Sequence, residues 1–256
     1  MTSSKSRATP RVWQWVAFAL AALIIIGLAE YHIAATRHET RNFERERLQS
    51  LALVVSTEIS QQLQATSSAL DVIREMFLAN PERAKDSEFV ERLHAIQKSA
   101  LGVRSFLIVN SAGQSITASD ASLVGLNFVD SAHYNMFRSG NDPKKLYISQ
   151  PFFSPEDVYA IVVGKVIQDE QGAFNGYVLA FIDPAYFRVL MSTVLYASNS
   201  FSGLVHYDGQ IIFRTPDNEG MLGMDLRERP NALFWKFRES NRPTLNTSGP
   251  IGTTNE

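Results

Sequence analysis

The sequence predicts an α+β protein with an N-terminal transmembrane helix that continues into a long helix, followed by two tandem antiparallel sheet units, the second incomplete. Three observations predict this order: an apolar run close to the N-terminus, a helical stripe of apolar residues after it, and a motif that occurs twice in the rest of the chain. With 256 residues, the chain is long enough to bury a substantial core.

The composition argues against several kinds of function. The chain has no cysteine, which removes disulfide frameworks, thiolate metal sites and thiol nucleophiles. Lys and Arg number 24 against 26 Asp and Glu, so no excess of positive charge indicates a nucleic-acid partner. The five histidines are scattered and no nucleophile motif occurs, so we expect no metal site, no cofactor and no catalytic residue in this chain.

The first element is the apolar run Val12–Ala29, which only Gln14 interrupts. Its length suits a helix that crosses a bilayer core, and Trp13 and Tyr31 lie near its ends, where interfacial aromatic rings are typical. The run therefore predicts a transmembrane helix over residues 12–31.

The flanking charge predicts the orientation of this helix. Residues 1–11 carry three basic side chains and no acidic one, so we expect them in the cytoplasm and the chain after Tyr31 outside it, periplasmic or extracellular. A cleaved signal peptide is the competing interpretation, since Ala34 and Ala35 offer a small-residue cleavage site. The apolar run is longer than a usual signal-peptide core, which favours a single-pass anchor in the inner membrane.

The second element is a stalk helix predicted over residues 32–80. No Pro or Gly interrupts it before Asn80 and Pro81. Apolar residues at steps of three or four form one stripe, which packs against the following domain, pairs with a second copy of the chain, or does both. The stripe comprises Leu48, Ala52, Val55, Ile59, Leu63, Thr66, Leu70, Ile73 and Phe77.

The remainder of the chain contains a duplication. Three pairs of similar segments follow one another in the same order, which predicts two copies of one structural unit. The pairs are Leu107–Ile116 with Leu204–Ile212, Leu123–Phe128 with Met221–Leu226, and Phe137–Arg138 with Phe237–Arg238.

The first unit, predicted over residues 81–184, reads as helix, two strands, helix, three strands, which suggests a five-stranded antiparallel sheet flanked by helices. Its helices are predicted at Glu88–Ala100 and Asp130–Ser139. Its extended segments are predicted at Ser105–Val109, Gln114–Ala118, Leu146–Phe153, Val158–Gln168 and Asn175–Ile182.

A connecting helix, predicted over residues 185–200 with its core at Ala185–Tyr196, leads to the second unit, residues 201–256. That unit offers only strands at Gly203–His206 and Ile211–Arg214 and a helix at Asn231–Ser240. Its last fifteen residues are polar, so we expect a truncated copy that lacks its final strands.

The order anchor, stalk and two sheet units resembles the double Cache, PAS-like sensor domains of bacterial membrane receptors over roughly residues 12–256. The most specific stretches are Asp130–Tyr134, Leu146–Pro151 and Gly172–Asp183. The sequence is most similar to the sensory regions of membrane-bound diguanylate cyclases. Residues 81–184 would then be the membrane-distal unit, which commonly binds the ligand, and residues 201–256 the membrane-proximal one.

The resemblance implies a ligand pocket between the sheet and the segment that holds the central helix and the following strand. In such a pocket, Lys165 and Arg138 would bind a carboxylate and Asp183 would bind an amine. This pairing suits an amino acid or a small organic acid. Ser131 stands where the family often has an Arg, which removes one carboxylate clamp. The candidate ligand-binding residues are His133, Tyr134, Arg138, Tyr147, Ser149, Tyr159, Lys165 and Asp183.

Several of these residues have a plainer interpretation. Tyr147 and Tyr159 can pack with their hydroxyls at the surface, and Lys165 lies on a strand whose alternate residues face solvent. Asp183 can simply end its strand, and Asp130 or Ser131 can cap the helix.

The expected function is small-molecule sensing outside the cytoplasm, as the input of a membrane-bound bacterial signalling protein whose diguanylate cyclase output is missing from this chain. A histidine-kinase or chemoreceptor sensor is the alternative, and a dimerisation ectodomain that binds no ligand is another. The expected partners are a small-molecule ligand, the membrane and a second copy of the chain in a homodimer, but no nucleic acid.

Overall fold

The computed structural model describes residues 10–153, 159–192, 195, 201–216, 221–229 and 233–245. The helices are α1 (Pro10–Ala79), α2 (Ser87–Ser99), α3 (Ala132–Arg138), α4 (Pro184–Ser192) and α5 (Leu233–Ser240). The strands are β1 (Val103–Asn110), β2 (Ser115–Ala118), β3 (Tyr147–Ile148), β4 (Phe152–Phe153), β5 (Tyr159–Gln168), β6 (Phe174–Ile182), β7 (Ser202–Val205) and β8 (Ile211–Thr215).

Several predictions fall on residues outside the described ones: the element ends Val158, Tyr196 and Asn231, the last residues of the connecting helix predicted to residue 200, residues 1–9 of the N-terminal segment, and residues 246–256 of the second unit. The chain divides into two compact units, Met1–Ala52 and Leu53–Glu256. Among the described residues, we find no helix with both the length and the apolar character that crossing a membrane requires, so the transmembrane helix predicted over residues 12–31 is not found there.

The stripe predicted on the stalk is the face along which α1 packs from Val55 onward. Val55, Ile59, Leu70, Ile73 and Phe77 are buried in one core cluster with residues of the sheet, and Leu63 packs against the same cluster. The first two members of the stripe, Leu48 and Ala52, are exposed. Over residues 55–77 the stripe therefore packs against the following domain, which is one of the two interpretations given above.

The main sheet is antiparallel and has the spatial order β2-β1-β6-β5-β3, with β4 paired to β5 as a sixth strand. Strands β5 and β6 form a hairpin, whose long ladder pairs Ile161 with Ile182 and Val166 with Tyr177. The turn between them is stabilised by Asp169, whose Oδ1 accepts hydrogen bonds from the backbone N–H groups of Gln171 and Ala173.

Both faces of this sheet are buried, and we name each face by the helix that covers it. The α1 face includes Phe106, Ile108, Val163, Ile167, Val178 and Ala180, which cluster with α1 and α2 residues. The α3 face includes Leu107, Val109, Val162, Val166, Tyr177 and Leu179, which cluster with α3 residues. Neighbouring residues of β1, β5 and β6 alternate between the two faces, as strand geometry requires.

Strands β7 and β8 form a separate two-stranded sheet that is not joined to the main sheet among the described residues. Its backbone repeats a pattern of the first unit: the N–H of Phe128 donates to the carbonyl of Gly113 at 2.8 Å, and that of Leu226 donates to Gly209 at 2.8 Å. Gly113 and Gly209 both have positive φ angles, 79° and 95°, which favour glycine in this turn. The two segments therefore share one local structure.

The small sheet contacts the edge of the main sheet through three polar bonds. The hydroxyl of Tyr159 donates to the carbonyl of Ile211 at 2.8 Å. Gln150 Nε2 donates to Asp208 Oδ2 at 3.0 Å, and His206 Nε2 lies 3.3 Å from the carbonyl oxygen of Ile148. On its inner side, Ile212 and Phe213 join the core cluster of the α1 face.

Candidate functional site

The candidate site begins with α3, which covers the α3 face of the sheet. Ser131, rather than Asp130, is its N-cap: Ser131 Oγ accepts a hydrogen bond from the N–H of Tyr134 at 3.2 Å. Phe137 stacks on Tyr177 with ring centroids 4.4 Å apart. Gly164 permits this approach, since a Cβ there would lie 2.6 Å from the Phe137 ring. The helix is thus held close to β5 and β6.

His133 is a buried histidine without a partner at one of its ring nitrogens. Its ring lies between Phe128 and Phe152, with centroids 5.4 Å from each, and it is 4 % exposed. No hydrogen-bond partner is present for Nε2 among the described residues. Burial lowers the pKa of His133 to about 4, because the charged form loses its hydration. His133 is therefore neutral at neutral pH.

Tyr177, in the middle of β6, is fully buried on the same face, and its hydroxyl also has no hydrogen-bond partner among the described residues. Besides Phe137, its ring lies near those of Tyr134 and Phe174, with centroids 6.2 Å and 6.4 Å away. Burial raises the pKa of Tyr177 well above its usual value, and the neighbouring Tyr134 raises it further. The hydroxyl therefore stays protonated and can donate a hydrogen bond.

This arrangement is suited to binding a polar group. It offers neutral hydrogen-bonding groups, His133 Nε2 and the Tyr177 hydroxyl, within an aromatic surround. A buried polar atom without a partner costs about 1–3 kcal/mol, a cost that a ligand atom can offset. The described residues contain no cluster of His, Asp or Glu that could hold a metal ion.

Three other predicted residues share this face with His133, but their hydroxyls are engaged. The Tyr134 hydroxyl donates to the carbonyl of Ser111 at 2.8 Å. The Tyr147 hydroxyl accepts from the N–H of Asp142 at 3.2 Å. Ser149 Oγ accepts from the N–H of Val162 at 2.9 Å and donates to the next carbonyl. These hydrogen bonds give the three hydroxyls a structural role within the fold.

The four remaining predicted residues lie elsewhere. Lys165 is buried on the α1 face, where its Nζ lies 2.5 Å from Asp71 Oδ2, so the sheet separates it from His133. Asp183 pairs with Arg104 at 3.0 Å. Tyr159 joins the two sheets, and burial raises its pKa to about 12. Arg138 is exposed at the end of α3. The structure therefore does not bring the eight residues together.

Sequence reasoning missed Tyr177. Strand β6 is apolar on both faces, so its alternation does not show which side chains face α3. The available signal is the tyrosine itself, a polar tip in the interior of an apolar strand, where a buried hydroxyl usually needs a partner.

No protein-family model matches this sequence, and no curated protein matches it. Solved structures do share its fold. The extracellular domain of the histidine kinase rpHK1S-Z16 is similar with a TM-score of 0.62 and 24 % identity, over 69 % of this chain and 71 % of that one.

Two chemoreceptor domains are similar as well. The ligand-binding domain of Pseudomonas fluorescens CtaA, in complex with L-serine, has a TM-score of 0.57 at 17 % identity, over 75 % of this chain and 80 % of that one. That of Pseudomonas aeruginosa PctC, in complex with GABA, has a TM-score of 0.54 at 16 % identity, over 74 % and 82 %. The chain therefore has the mixed helix and antiparallel-sheet fold of extracellular sensor domains.

Proposed function

We propose that this chain is the extracytoplasmic small-molecule sensing part of a membrane-bound bacterial signalling protein. The observation that carries the proposal is the pair of buried polar groups without partners, His133 Nε2 and the Tyr177 hydroxyl, on the α3 face. The fold shared with extracellular sensor domains supports it.

The proposed ligand is an amino acid or a small organic acid. Domains of similar fold were solved in complex with serine, GABA and isoleucine, which makes this class the first to test. His133 and Tyr177 would bind its polar atoms while the aromatic rings around them contact its apolar part. Two cations, Arg138 and Lys165, are predicted for the site. Because Lys165 is paired with Asp71, Arg138 is the better candidate to bind a carboxylate.

The proposed signalling route runs from the α3 face through the sheet to α1. In β5 and β6, alternate residues face α1 and α3. If a bound ligand shifts β6, the β6 residues that pack on α1 therefore move as well. The hydrogen-bond pattern shared by the two sheets supports the prediction of tandem PAS-like units, the second represented by β7, β8 and α5.

Membrane attachment through residues 12–31, pairing of two copies along the stalk, and the nature of the output stay predictions from the sequence. The structures of similar fold belong to histidine kinases and chemoreceptors, so a diguanylate cyclase output rests on sequence resemblance alone. The coding sequence downstream of Glu256 distinguishes these outputs directly, since each has its own sequence signature.

The experiment is a thermal-shift screen of the 256-residue protein against the amino acids and small organic acids. We expect at least one ligand to raise the melting temperature, and His133→Phe and Tyr177→Phe to lose that rise. Tyr186→Phe is the matched control, because it removes a tyrosine hydroxyl from α4, whose core cluster belongs to the α1 face. An equal rise in all variants would exclude the α3 face as the site, and no rise with any compound would favour a dimerisation ectodomain.

A further inference from the structure

A large cavity lies outside the α3 face, between the β7–β8 sheet and α5. Its volume is about 910 Å³, within the range of sites that hold small organic molecules. Its walls are mainly apolar, with Val205 and Ile211 from the sheet and Phe234 and Phe237 from α5. The site proposed above uses none of these residues.

Arg214 of β8 lines this cavity and is a buried cation with no acidic partner in the part of the chain that the structure describes. It is 5 % exposed, and its Nε and Nη1 have no hydrogen-bond partner among the described residues. One face of its guanidinium is covered by the Phe201 ring, with Cζ 4.3 Å from the centroid. Lys165, the other buried cation, has Asp71 beside it. An unpaired buried charge is costly, so Arg214 needs an anion.

The two sheets differ at the position that Arg214 occupies. Val109 pairs with Ser115 next to a register shift in the first unit, and Val205 pairs with Ile211 next to the same shift in the second. Counting from these pairs, Leu107 and Ala118 of the first unit correspond to Gly203 and Arg214. The second unit thus has a guanidinium and a glycine where the first has two buried apolar side chains.

The charges around the cavity also favour an anion. Arg238 and Arg242 line it together with Arg214, and no Asp or Glu does so among the described residues. Arg238 lies over the Tyr207 ring, 4.3 Å from its centroid, which holds this second cation at the cavity.

We infer that this cavity is a second ligand site, for a carboxylate with an apolar body, in which Arg214 binds the carboxylate. The guanidinium of Arg214 has N–H groups without partners among the described residues and can donate charge-assisted hydrogen bonds to a carboxylate. The apolar walls select a carboxylic acid with an aromatic or aliphatic body over an inorganic anion. This site goes beyond the proposed function and does not depend on the α3 face.

The test measures binding of benzoate and octanoate to the 256-residue protein by calorimetry and by thermal shift. We expect at least one of them to bind and to raise the melting temperature, while benzamide and octan-1-ol, which lack the charge, do not. Arg214→Met should weaken binding by roughly tenfold to a hundredfold, the loss expected for a charge-assisted pair of hydrogen bonds. Arg227→Met is the matched control, because Arg227 pairs with Asp225 and does not line the cavity.

Several outcomes would overturn the inference. They are no binding of either carboxylate up to about 10 mM, unchanged binding in Arg214→Met, and an equal effect of sulfate or phosphate, which would indicate an adventitious ion only. If Arg214→Met does not fold, Arg214→Lys replaces it in the test. A lower affinity of Arg214→Lys for the carboxylate supports binding by the guanidinium, and an unchanged affinity contradicts it. Tyr177→Phe should keep carboxylate binding, which separates failure of this site from failure of the α3 face.

Discussion

At the residue scale, the buried hydroxyl of Tyr177 should lower the stability of the unliganded protein. This hydroxyl has no hydrogen-bond partner among the residues that the structure describes, so we expect Tyr177→Phe to raise the free energy of unfolding of the unliganded protein by about 1 kcal/mol. Tyr134→Phe removes a hydroxyl that is bonded to Ser111 and should lower it by about 1 kcal/mol. Urea denaturation measures both, and a destabilised Tyr177→Phe would show that the hydroxyl has a partner in solution.

His133 makes stability depend on pH. Its folded-state pKa, about 4, lies below the ordinary value of 6.5, so between these values the unfolded chain binds a proton that the folded chain does not. Stability should therefore fall as the pH falls from about 6.5 to 4, by as much as roughly 3 kcal/mol from this residue.

Urea denaturation at pH 7, 5.5 and 4.5 measures the dependence on His133. In His133→Phe the loss of stability over this interval should be smaller than in the parent protein. His94→Phe is the control, because it removes a histidine that is exposed on α2 rather than buried. A parent slope that persists in His133→Phe would mean that other groups cause it.

At the element scale, the sequence predicts most of the described helices and strands, but it does not predict which side chains share a face or that the segment Leu146–Phe153 forms two short strands. The stripe from Val55 to Phe77 has one apolar side, so its buried face follows from spacing alone. Strands β5 and β6 are apolar on both sides, so alternation does not distinguish the α1 face from the α3 face. For this reason the sequence pattern does not separate Lys165 from His133, although the sheet lies between them.

The ion pair between Asp71 and Lys165 connects α1 to β5, and it contributes to stability mainly by pairing a buried lysine. Asp71→Asn should lower the free energy of unfolding by about 2–3 kcal/mol, because it leaves the Lys165 charge buried and unpaired. Adding Lys165→Met should recover most of that loss.

Chemical denaturation of the two single variants and the double variant gives the coupling between these elements. Glu88→Gln is the control, since its ion pairs with Arg83 and Arg92 are exposed and should be worth less than about 1 kcal/mol. If Asp71→Asn lowers the free energy of unfolding by no more than Glu88→Gln does, Lys165 does not depend on Asp71 for a partner.

At the scale of the whole molecule, the part proposed to bind a ligand and the predicted anchor belong to different compact units. The sheet, its covering helices and the small β7–β8 sheet belong to the compact unit Leu53–Glu256, whereas the apolar run belongs to the unit Met1–Ala52. Deleting residues 12–31 should therefore leave the urea midpoint of the main transition unchanged, because no residue of the buried core clusters lies in that range.

The same deletion tests the anchor predicted from Val12–Ala29. In bacterial cells, we expect the intact chain to stay in the membrane pellet after extraction with alkaline carbonate, which removes peripheral proteins but not helices inserted in lipid. The chain without residues 12–31 should be in the supernatant. Release of the intact chain by carbonate would contradict the anchor, and a changed urea midpoint would show that the anchor segment also supports the sensor fold.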